Sequence, residues 1–202
     1  MRRRSKKTRA SPGTPPGTRA RTHKTLANFF LPVNHKAAVP AAPKAPSSRR
    51  IQVRRSPVHG RGVFALRPIA AGERIIEYTG ERIGWEEAQR RHPHDATQPN
   101  HTFYFHIEGG EVIDALHGGN SARFINHSCA PNCEAVEEAG RIFIYALHPI
   151  AAGEELSFDY GLVVDEPLTE ELKADYACCC GAPECRGTML ALPDATGEEE
   201  NT

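Results

Sequence analysis

Apolar residues of this chain occur in short runs divided by glycine and polar turns, a pattern typical of strands rather than long helices. The alternating or fully apolar runs lie at residues 51–53, 63–65, 75–80, 102–108, 111–115, 141–146 and 155–160. Gly109 and Gly110 separate two of these runs and predict the turn of a hairpin. Only residues 85–91 and 168–176 have helical character. The sequence therefore predicts a mostly β fold in which helix is the minority.

One short segment occurs twice. Residues 67–73, Arg-Pro-Ile-Ala-Ala-Gly-Glu, recur as residues 148–154 with His in the first position. Each copy precedes an apolar run, so each is predicted to be a turn in which a glycine leads into a strand. A single repetition is too little for a solenoid. The repeat instead predicts two similar β-units on either side of a central insert.

Charge is distributed unevenly. Residues 1–72 contain 17 Lys or Arg and no Asp or Glu, whereas residues 73–202 contain 8 basic and all 25 acidic residues. Opposite potentials raise encounter rates, so the basic front end suits a polyanion such as nucleic acid and the acidic body suits a basic protein. The alternative for both regions is ordinary solvated surface. No run of 18 apolar residues exists, and no membrane span is expected.

The first 49 residues offer little to bury, so we expect them to form a disordered basic tail. An acid-free, Arg-rich start also resembles an organelle transit peptide. Seven prolines within the first 50 residues oppose the amphipathic helix that such a peptide needs. The acidic end of the chain, residues 193–202, is also expected to be disordered.

The cysteines indicate a metal site in a reducing compartment rather than a disulfide framework. Alternate residues of an extended segment face the same way, so Cys178 and Cys180 are predicted to pair while Cys179 points away. Cys185 supplies a third thiolate. The spacing leaves Cys129 and Cys133 open as the fourth ligand of a tetrahedral zinc ion. A labile redox site is the more serious alternative to a metal.

Six aromatic residues are either core or the wall of a ligand site: Tyr78, Phe103, Phe105, Phe124, Phe158 and Tyr160. Tyr78 and Tyr160 each lie close to a glycine at the end of a predicted strand. Two tyrosines so placed can offer both hydroxyls to one small group. A polar segment, residues 123–132, is too rich in hydrogen-bonding side chains to be simple core.

With these residues assembled, the chain resembles the SET-domain protein lysine methyltransferases that carry a zinc-binding post-SET segment. The resemblance extends from about residue 51 to residue 190 and rests on motifs at 59–62, 77–81, 119–129, 153–161 and 178–185. It implies a β-clip fold of several small sheets, in which the segment around Tyr160 forms a C-terminal pseudoknot beside Asn126. The implied division is a tail over 1–49, a SET domain over 50–163, a post-SET segment over 164–192 and a second tail over 193–202.

The resemblance also implies an S-adenosylmethionine site. The matching cofactor residues are His59, Arg61, Gly62, Phe103, Arg123, Asn126 and His127. Phe103 occupies a position that is commonly Tyr in the family, so one hydroxyl contact is missing here. Among the cysteines, the resemblance selects Cys129, Cys178, Cys180 and Cys185 as zinc ligands and leaves Cys133 structural.

In the implied reaction, a methyl group passes in line from a sulfonium to a neutral lysine amine. The reference pKa of lysine is about 10.4, so desolvation in an aromatic channel and a nearby cation must favour proton loss. Tyr160 is the expected catalytic hydroxyl, with Tyr78 as its partner and Phe105 and Phe158 as channel walls. Members with Tyr at the position of Phe158 tend to stop after one methyl, so Phe158 predicts di- or trimethylation.

The expected partner is a basic, Lys-containing protein such as a histone or histone-like protein. The alternative function is a non-catalytic SET-like module that binds basic peptides or scaffolds a nucleic-acid complex. The basic tail is expected either to bind nucleic acid or to be methylated at Lys6, Lys7 or Lys24 by the enzyme itself. The Ala- and Arg-rich composition favours a bacterial member. The expected location is intracellular: cytoplasm or nucleoid in a bacterium, nucleus or chromatin in a eukaryote.

Overall fold

The computed structural model describes residues 49–92, 102–164 and 166–192, so both predicted tails except Arg49 lie outside the described residues. The strands are β1 (Ile51–Arg55), β2 (Arg61–Ala65), β3 (Arg74–Tyr78), β4 (Glu81–Gly84), β5 (Tyr104–Ile107), β6 (Glu111–Asp114), β7 (Asn126–His127), β8 (Cys133–Glu138), β9 (Arg141–Ala146) and β10 (Glu155–Phe158). The helices are α1 (Trp85–Arg91), a 3₁₀ helix (Ser121–Phe124) and α2 (Glu170–Asp175). Strands predominate in this part of the chain, which confirms the predicted fold class.

Two sheets organise the fold. The larger has the strand order β1-β2-β10-β8-β9-β3, with β7 beside β10, and the smaller has the order β4-β6-β5. Strand β10 is antiparallel to β2 but parallel to β7, where Phe158 lies opposite His127. The chain just before Tyr160 is therefore held beside Asn126, as the expected pseudoknot requires. Within the described ranges no helix is long and apolar enough to cross a membrane.

The repeated segment forms two equivalent turns that bond to each other. Ile69 and Ile150 exchange backbone hydrogen bonds of 2.9 and 3.0 Å. Gly72 donates to the last residue of β9, and Gly153 donates to the last residue of β2. Both glycines have positive φ, which explains why each copy of the turn contains glycine. The first unit consists of β1, β2 and β3, and the second consists of β8, β9 and β10. Strand β3 pairs with β9 of the second unit, and β10 pairs with β2 of the first. The two predicted β-units are therefore confirmed, and the last strand of each pairs with the other unit.

The main hydrophobic core lies under the larger sheet, and a second core joins the C-terminal segment to the smaller sheet. Leu172, Tyr176 and Leu190 are the C-terminal members of the second core, and each is buried. Burial of one such side chain stabilises the fold by about 1.5–3 kcal/mol. Hydrophobic packing therefore holds the segment after residue 164 against the rest of the molecule.

Several elements differ from the sequence prediction. The strands predicted over 75–80 and 155–160 end at Tyr78 and Phe158, and α2 begins later than predicted because the Thr169 side chain caps it at Leu172 N. Strands β4, β7 and β8 were not predicted. Strand β8 carries three glutamates, which hide its β character, but buried Glu137 accepts hydrogen bonds from the backbone of Glu108.

Candidate active site and metal centre

A cavity of about 660 Å³ lies between the larger sheet, the β5–β6 hairpin and the C-terminal segment. All the predicted cofactor, channel and catalytic residues except Gly62 line this cavity: His59, Arg61, Tyr78, Phe103, Phe105, Arg123, Asn126, His127, Phe158 and Tyr160. The C-terminal wall includes Met189, while its neighbour Leu190 is fully buried in the second core. Residues that are far apart in the sequence thus share one concave site.

Asn126 holds the loop that precedes β2. Its side-chain amide donates to the carbonyl oxygens of His59 (3.3 Å) and Arg61 (3.1 Å) and to Glu155 Oε1 (2.8 Å). An amide has two N–H donors, so these three acceptors use its full donor capacity. Through this side chain Asn126 positions His59 in the loop and Arg61 at the start of β2.

Glu155 completes the support of this loop and has no strong signal in the sequence. Its Oε2 accepts a hydrogen bond from Ser56 Oγ at 3.0 Å, while its Oε1 fills the space beside Gly62. A Cβ at Gly62 would overlap this carboxylate oxygen, so Gly62 serves to admit Glu155 rather than to contact the cavity. The pair of acidic residues after Gly153 is the one feature of the sequence that marks the position.

Gly62→Ala is expected to weaken cofactor binding about tenfold or more, because the new methyl group displaces the Glu155 carboxylate from Asn126. Calorimetric titration with S-adenosylhomocysteine measures the dissociation constant. Gly84→Ala is the matched control, since Gly84 has ordinary extended backbone and open space at its Cβ position. Equal affinity in wild type and Gly62→Ala would contradict this role.

The hydroxyl groups of the two predicted tyrosines both donate hydrogen bonds to backbone carbonyls. Tyr78 Oη donates to the carbonyl of Phe103, and Tyr160 Oη donates to the carbonyl of Ile125, both at 2.8 Å. Burial raises the pKa of both phenols above the ordinary value, so both stay neutral at physiological pH. With each proton directed at a carbonyl, the lone pairs of each oxygen are left to accept a hydrogen bond from a cavity ligand.

An aromatic cluster surrounds these hydroxyls. The ring centres of Tyr78 and Phe105 lie 5.3 Å apart, those of Phe105 and Phe158 lie 6.2 Å apart, and those of Phe158 and Tyr160 lie 5.0 Å apart. Phe105 and Phe158 are buried. Aromatic faces attract alkylammonium groups while excluding water, so the cluster can hold a lysine side chain.

A cationic wall lies around Phe124. The guanidinium carbons of Arg61 and Arg123 lie 3.8 and 4.7 Å from the centre of this ring. Arg123 donates to the carbonyl of Ala115 at 2.9 Å, and its buried Nε has no hydrogen-bond partner among the described residues. An orphaned buried N–H beside a cavity fits an anionic ligand group such as a carboxylate.

His127 connects the site to the cysteines. Its Nδ1 accepts the backbone N–H of Tyr160 at 3.1 Å, and its Nε2 lies 3.4 Å from Cys129 Sγ. Burial lowers the pKa of His127 to about 4, so the ring is neutral at physiological pH. The acceptor role of Nδ1 places the proton on Nε2, which then donates to the sulfur.

A second connection is the ion pair between Asp159 and Arg186, and the sequence pattern does not predict it. Both guanidinium nitrogens bond the carboxylate at 2.6 Å, which is bidentate geometry. Asp159 lies between Phe158 and Tyr160, and Arg186 follows directly after Cys185. The loop that carries the cysteines is thereby fixed to the strand end that carries the tyrosine.

Four cysteines form a cluster suited to a metal ion: Cys129, Cys178, Cys180 and Cys185. Their sulfur atoms all lie within 4.8 Å of one another, and Cys129 Sγ is 3.8 Å from Cys178 Sγ and from Cys185 Sγ. A tetrahedron with zinc–sulfur bonds of about 2.3 Å has edges of about 3.8 Å. The geometry therefore fits a tetrahedral thiolate site.

The other two thiols lie outside the cluster. Cys133 is buried in β8, where burial raises its pKa to about 12, and Cys179 is exposed. Between the two candidates for the fourth ligand, the structure thus places Cys129 with the other three sulfurs. A further group of Glu81, Asp114 and His117 is bridged by Arg91, so it is an ion-pair network.

Comparison with known proteins agrees with this site. The sequence matches the SET domain family over residues 60–161. Proteins named "Histone-lysine N-methyltransferase, H3 lysine-4 specific" from Candida albicans and Saccharomyces cerevisiae are each 44% identical over 140 residues, which is 67% of this chain and 13% of each relative. Human "Histone-lysine N-methyltransferase 2B" is 40% identical over 147 residues, covering 71% of this chain.

The aligned segment is a small part of these relatives, 5% of the human protein. The family match over residues 60–161 includes Arg61, the aromatic cluster and the strand end of Tyr160, which contribute to the cavity. The family match extends over half of the residues of this chain. The family match and the similarity to these relatives together show that this protein belongs to the SET domain family.

Proposed function

We propose that the chain is an S-adenosylmethionine-dependent protein lysine N-methyltransferase that acts on a histone or another basic protein. The observation that carries the proposal is the pair of neutral tyrosine hydroxyls, of Tyr78 and Tyr160, within a buried aromatic cluster. The names of the relatives, which specify histone H3 lysine 4 for the fungal proteins, support the substrate class.

Among the residues present, Arg61, Arg123, Asn126 and His127 would hold the cofactor, together with the loop around His59. The unpartnered Nε of Arg123 suits the cofactor's carboxylate, and the aromatic rings suit its sulfonium. When bound, S-adenosylmethionine supplies an electrophilic methyl group. The chain's contribution is to bind and orient both partners and to exclude water from the site.

Tyr160 and Tyr78 are proposed to orient the lysine amine. Their oxygens can accept its N–H groups because their own protons bond backbone carbonyls. A phenol with a raised pKa is a poor general base, so neither tyrosine takes the proton of the lysine ammonium. Desolvation among Phe105 and Phe158 favours the neutral amine, and the proton passes to solvent as the lysine enters the site. The two hydroxyls would hold the neutral amine in line with the methyl group that the cofactor supplies.

Zinc is proposed to occupy the four-cysteine cluster in a structural role, because four thiolates leave no open position for chemistry. It would join Cys129, three residues after Asn126, to the segment that carries Met189. We propose the same division of the chain as the resemblance implies, with the SET domain over 50–163 and the post-SET segment over 164–192.

Phe158→Tyr is expected to change the product from di- or trimethyllysine to monomethyllysine. The ring at this position lies 5.0 Å from that of Tyr160, so an added hydroxyl would hold a water where a methylated amine must fit. Mass spectrometry of a peptide after exhaustive turnover measures the product. If wild type itself yields only monomethyllysine, the assignment of Phe158 to product control is wrong.

Release of S-adenosylhomocysteine from a mixture of Lys-rich proteins separates the enzyme from a non-catalytic binding module. The enzyme should release it in proportion to methylated lysine. A protein that binds the cofactor and a basic peptide without release would be the module. The neutral tyrosine pair favours the enzyme, because peptide binding alone needs no such pair beside a cofactor site.

Residues 1–49 are proposed to bind nucleic acid, with automethylation of Lys6, Lys7 or Lys24 as the second candidate. The excess of positive charge without any acidic residue supports the first. Intact mass after incubation with cofactor alone tests the second. A histone substrate would place the protein on chromatin in a eukaryotic nucleus, and a histone-like substrate would place it on the nucleoid of a bacterium.

A further inference from the structure

The tip of the β1–β2 hairpin carries arginines without acidic partners. The strand register places Arg55 directly opposite Arg61 and Arg54 opposite Gly62. All three arginines are exposed, and none forms an ion pair with any residue in the described ranges. Arg55 and Arg61 share one face of the hairpin, whereas Arg54 lies on the other face, where it stacks on Phe64. Like charges directly opposite each other on one face of a sheet are destabilising. This arrangement therefore indicates a site for an external anion.

Three exposed arginines elsewhere in the folded body are neutralised. Arg82, Arg90 and Arg141 each form an ion pair with a glutamate. By contrast, residues 49–72 contain six arginines and no acidic residue, and the 48 residues before them contain eleven Lys or Arg and no acidic residue. The arginines of the hairpin therefore belong to a basic stretch of sequence that contains no acidic residue and reaches into the folded domain.

The hairpin tip adjoins the cavity. Arg61 contributes both to the tip and to the cavity wall, where it stacks on Phe124. A basic substrate is attracted by the acidic body but repelled by this tip. The repulsion is removed when the substrate is itself bound to a polyanion. The polyanion then neutralises the positive charge of the tip while the substrate's lysine enters the cavity.

We propose that the tip, consisting of Arg54, Arg55 and Arg61, binds the phosphate backbone of duplex nucleic acid from both faces of the hairpin, with Arg55 and Arg61 on one face and Arg54 on the other. Guanidinium groups match phosphates in geometry, and exposed positions on a strand suit contacts with the phosphate backbone. Resting on the proposed function, the tip would place the cavity beside the duplex, so that the preferred substrate is a basic protein bound to the same nucleic acid.

Fluorescence anisotropy of a labelled DNA duplex of mixed sequence, titrated with the full chain over a range of salt concentrations, tests the proposal. Binding weakens as salt rises, so the slope of log K against log salt is negative. In Arg54→Gln with Arg55→Gln this slope should become less steep by about 2, because each phosphate contact contributes about 0.9. The matched control is Arg82→Gln with Arg90→Gln, which removes the same charge from 45% and 72% exposed side chains elsewhere. The control should leave the slope unchanged.

Equal slopes for wild type and the hairpin variant would overturn the proposal, as would an equal loss in the control. Tighter binding of polyglutamate than of DNA would overturn it in favour of an acidic protein partner. Binding is measured without cofactor, and methyl transfer to a free Lys-rich peptide is measured separately. Absence of DNA binding by the wild-type chain, with normal peptide methylation, thus refutes the tip alone, whereas absent methylation in wild type refutes the proposed function.

Discussion

Replacing Tyr160 with phenylalanine is expected to lower kcat for methyl transfer by about 10²- to 10³-fold. The hydroxyl donates to the carbonyl of Ile125 at 2.8 Å, which directs its lone pairs to the cavity. Without it the lysine amine loses the acceptor that aligns it with the methyl donor. Cofactor affinity should change little, because the backbone bond from Tyr160 to His127 is kept.

Tyr145→Phe is the matched control for this prediction. Tyr145 also uses its hydroxyl in a hydrogen bond, to Glu138 at 2.6 Å, but it lies on β9 and does not line the cavity. Single-turnover kinetics with saturating cofactor measures the chemical step for both variants. A Tyr160→Phe enzyme with the wild-type rate, or an equal loss in Tyr145→Phe, would remove Tyr160 from the catalytic role.

Cys129→Ser is expected to abolish tight zinc binding and to lower methyl transfer about 100-fold or more. Changes that only weaken the support of metal ligands cost about 10- to 100-fold, so loss of a ligand should cost at least as much. The cluster connects the loop after His127 to the segment of Arg186, whose ion pair with Asp159 fixes the strand end of Tyr160. Loss of zinc should therefore reach the catalytic hydroxyl.

Zinc content by atomic absorption and activity on one preparation measure the two effects together. Cys179→Ser is the control for zinc content, because Cys179 is adjacent to two ligands but is exposed and outside the cluster. It should retain one zinc ion per chain. Cys129→Ser with normal activity and no zinc, or with normal zinc and no activity, would separate functions that the structure joins.

Local patterns predicted the elements whose side chains alternate clearly. The hairpin of β5 and β6 follows from period two, and Phe105 packs on the main core while Tyr104 packs on the second. Helix α1 has its predicted bounds. The repeated turn predicted two β-units, but only the structure shows that β3 and β10 are exchanged between them, because strand partners far apart in sequence have no local signal.

The supporting residues of the site were hidden for the same reason. Glu155 meets Asn126 across 29 residues, and Arg186 meets Asp159 across 27 residues. Neither side chain has a spacing or a neighbour that marks its partner. The choice between Cys129 and Cys133 also had no local basis, because Cys133 is buried only through the pairing of β8 with β9.

The central claim is that this chain transfers methyl groups from S-adenosylmethionine to lysine. The most direct measurement is mass spectrometry of a purified histone or histone-like protein after incubation with the full chain and deuteromethyl-labelled cofactor. The account predicts labelled di- or trimethyllysine, formed by wild type and nearly absent with Tyr160→Phe. Cofactor binding with no labelled lysine on any basic protein tested, zinc being present, would contradict it.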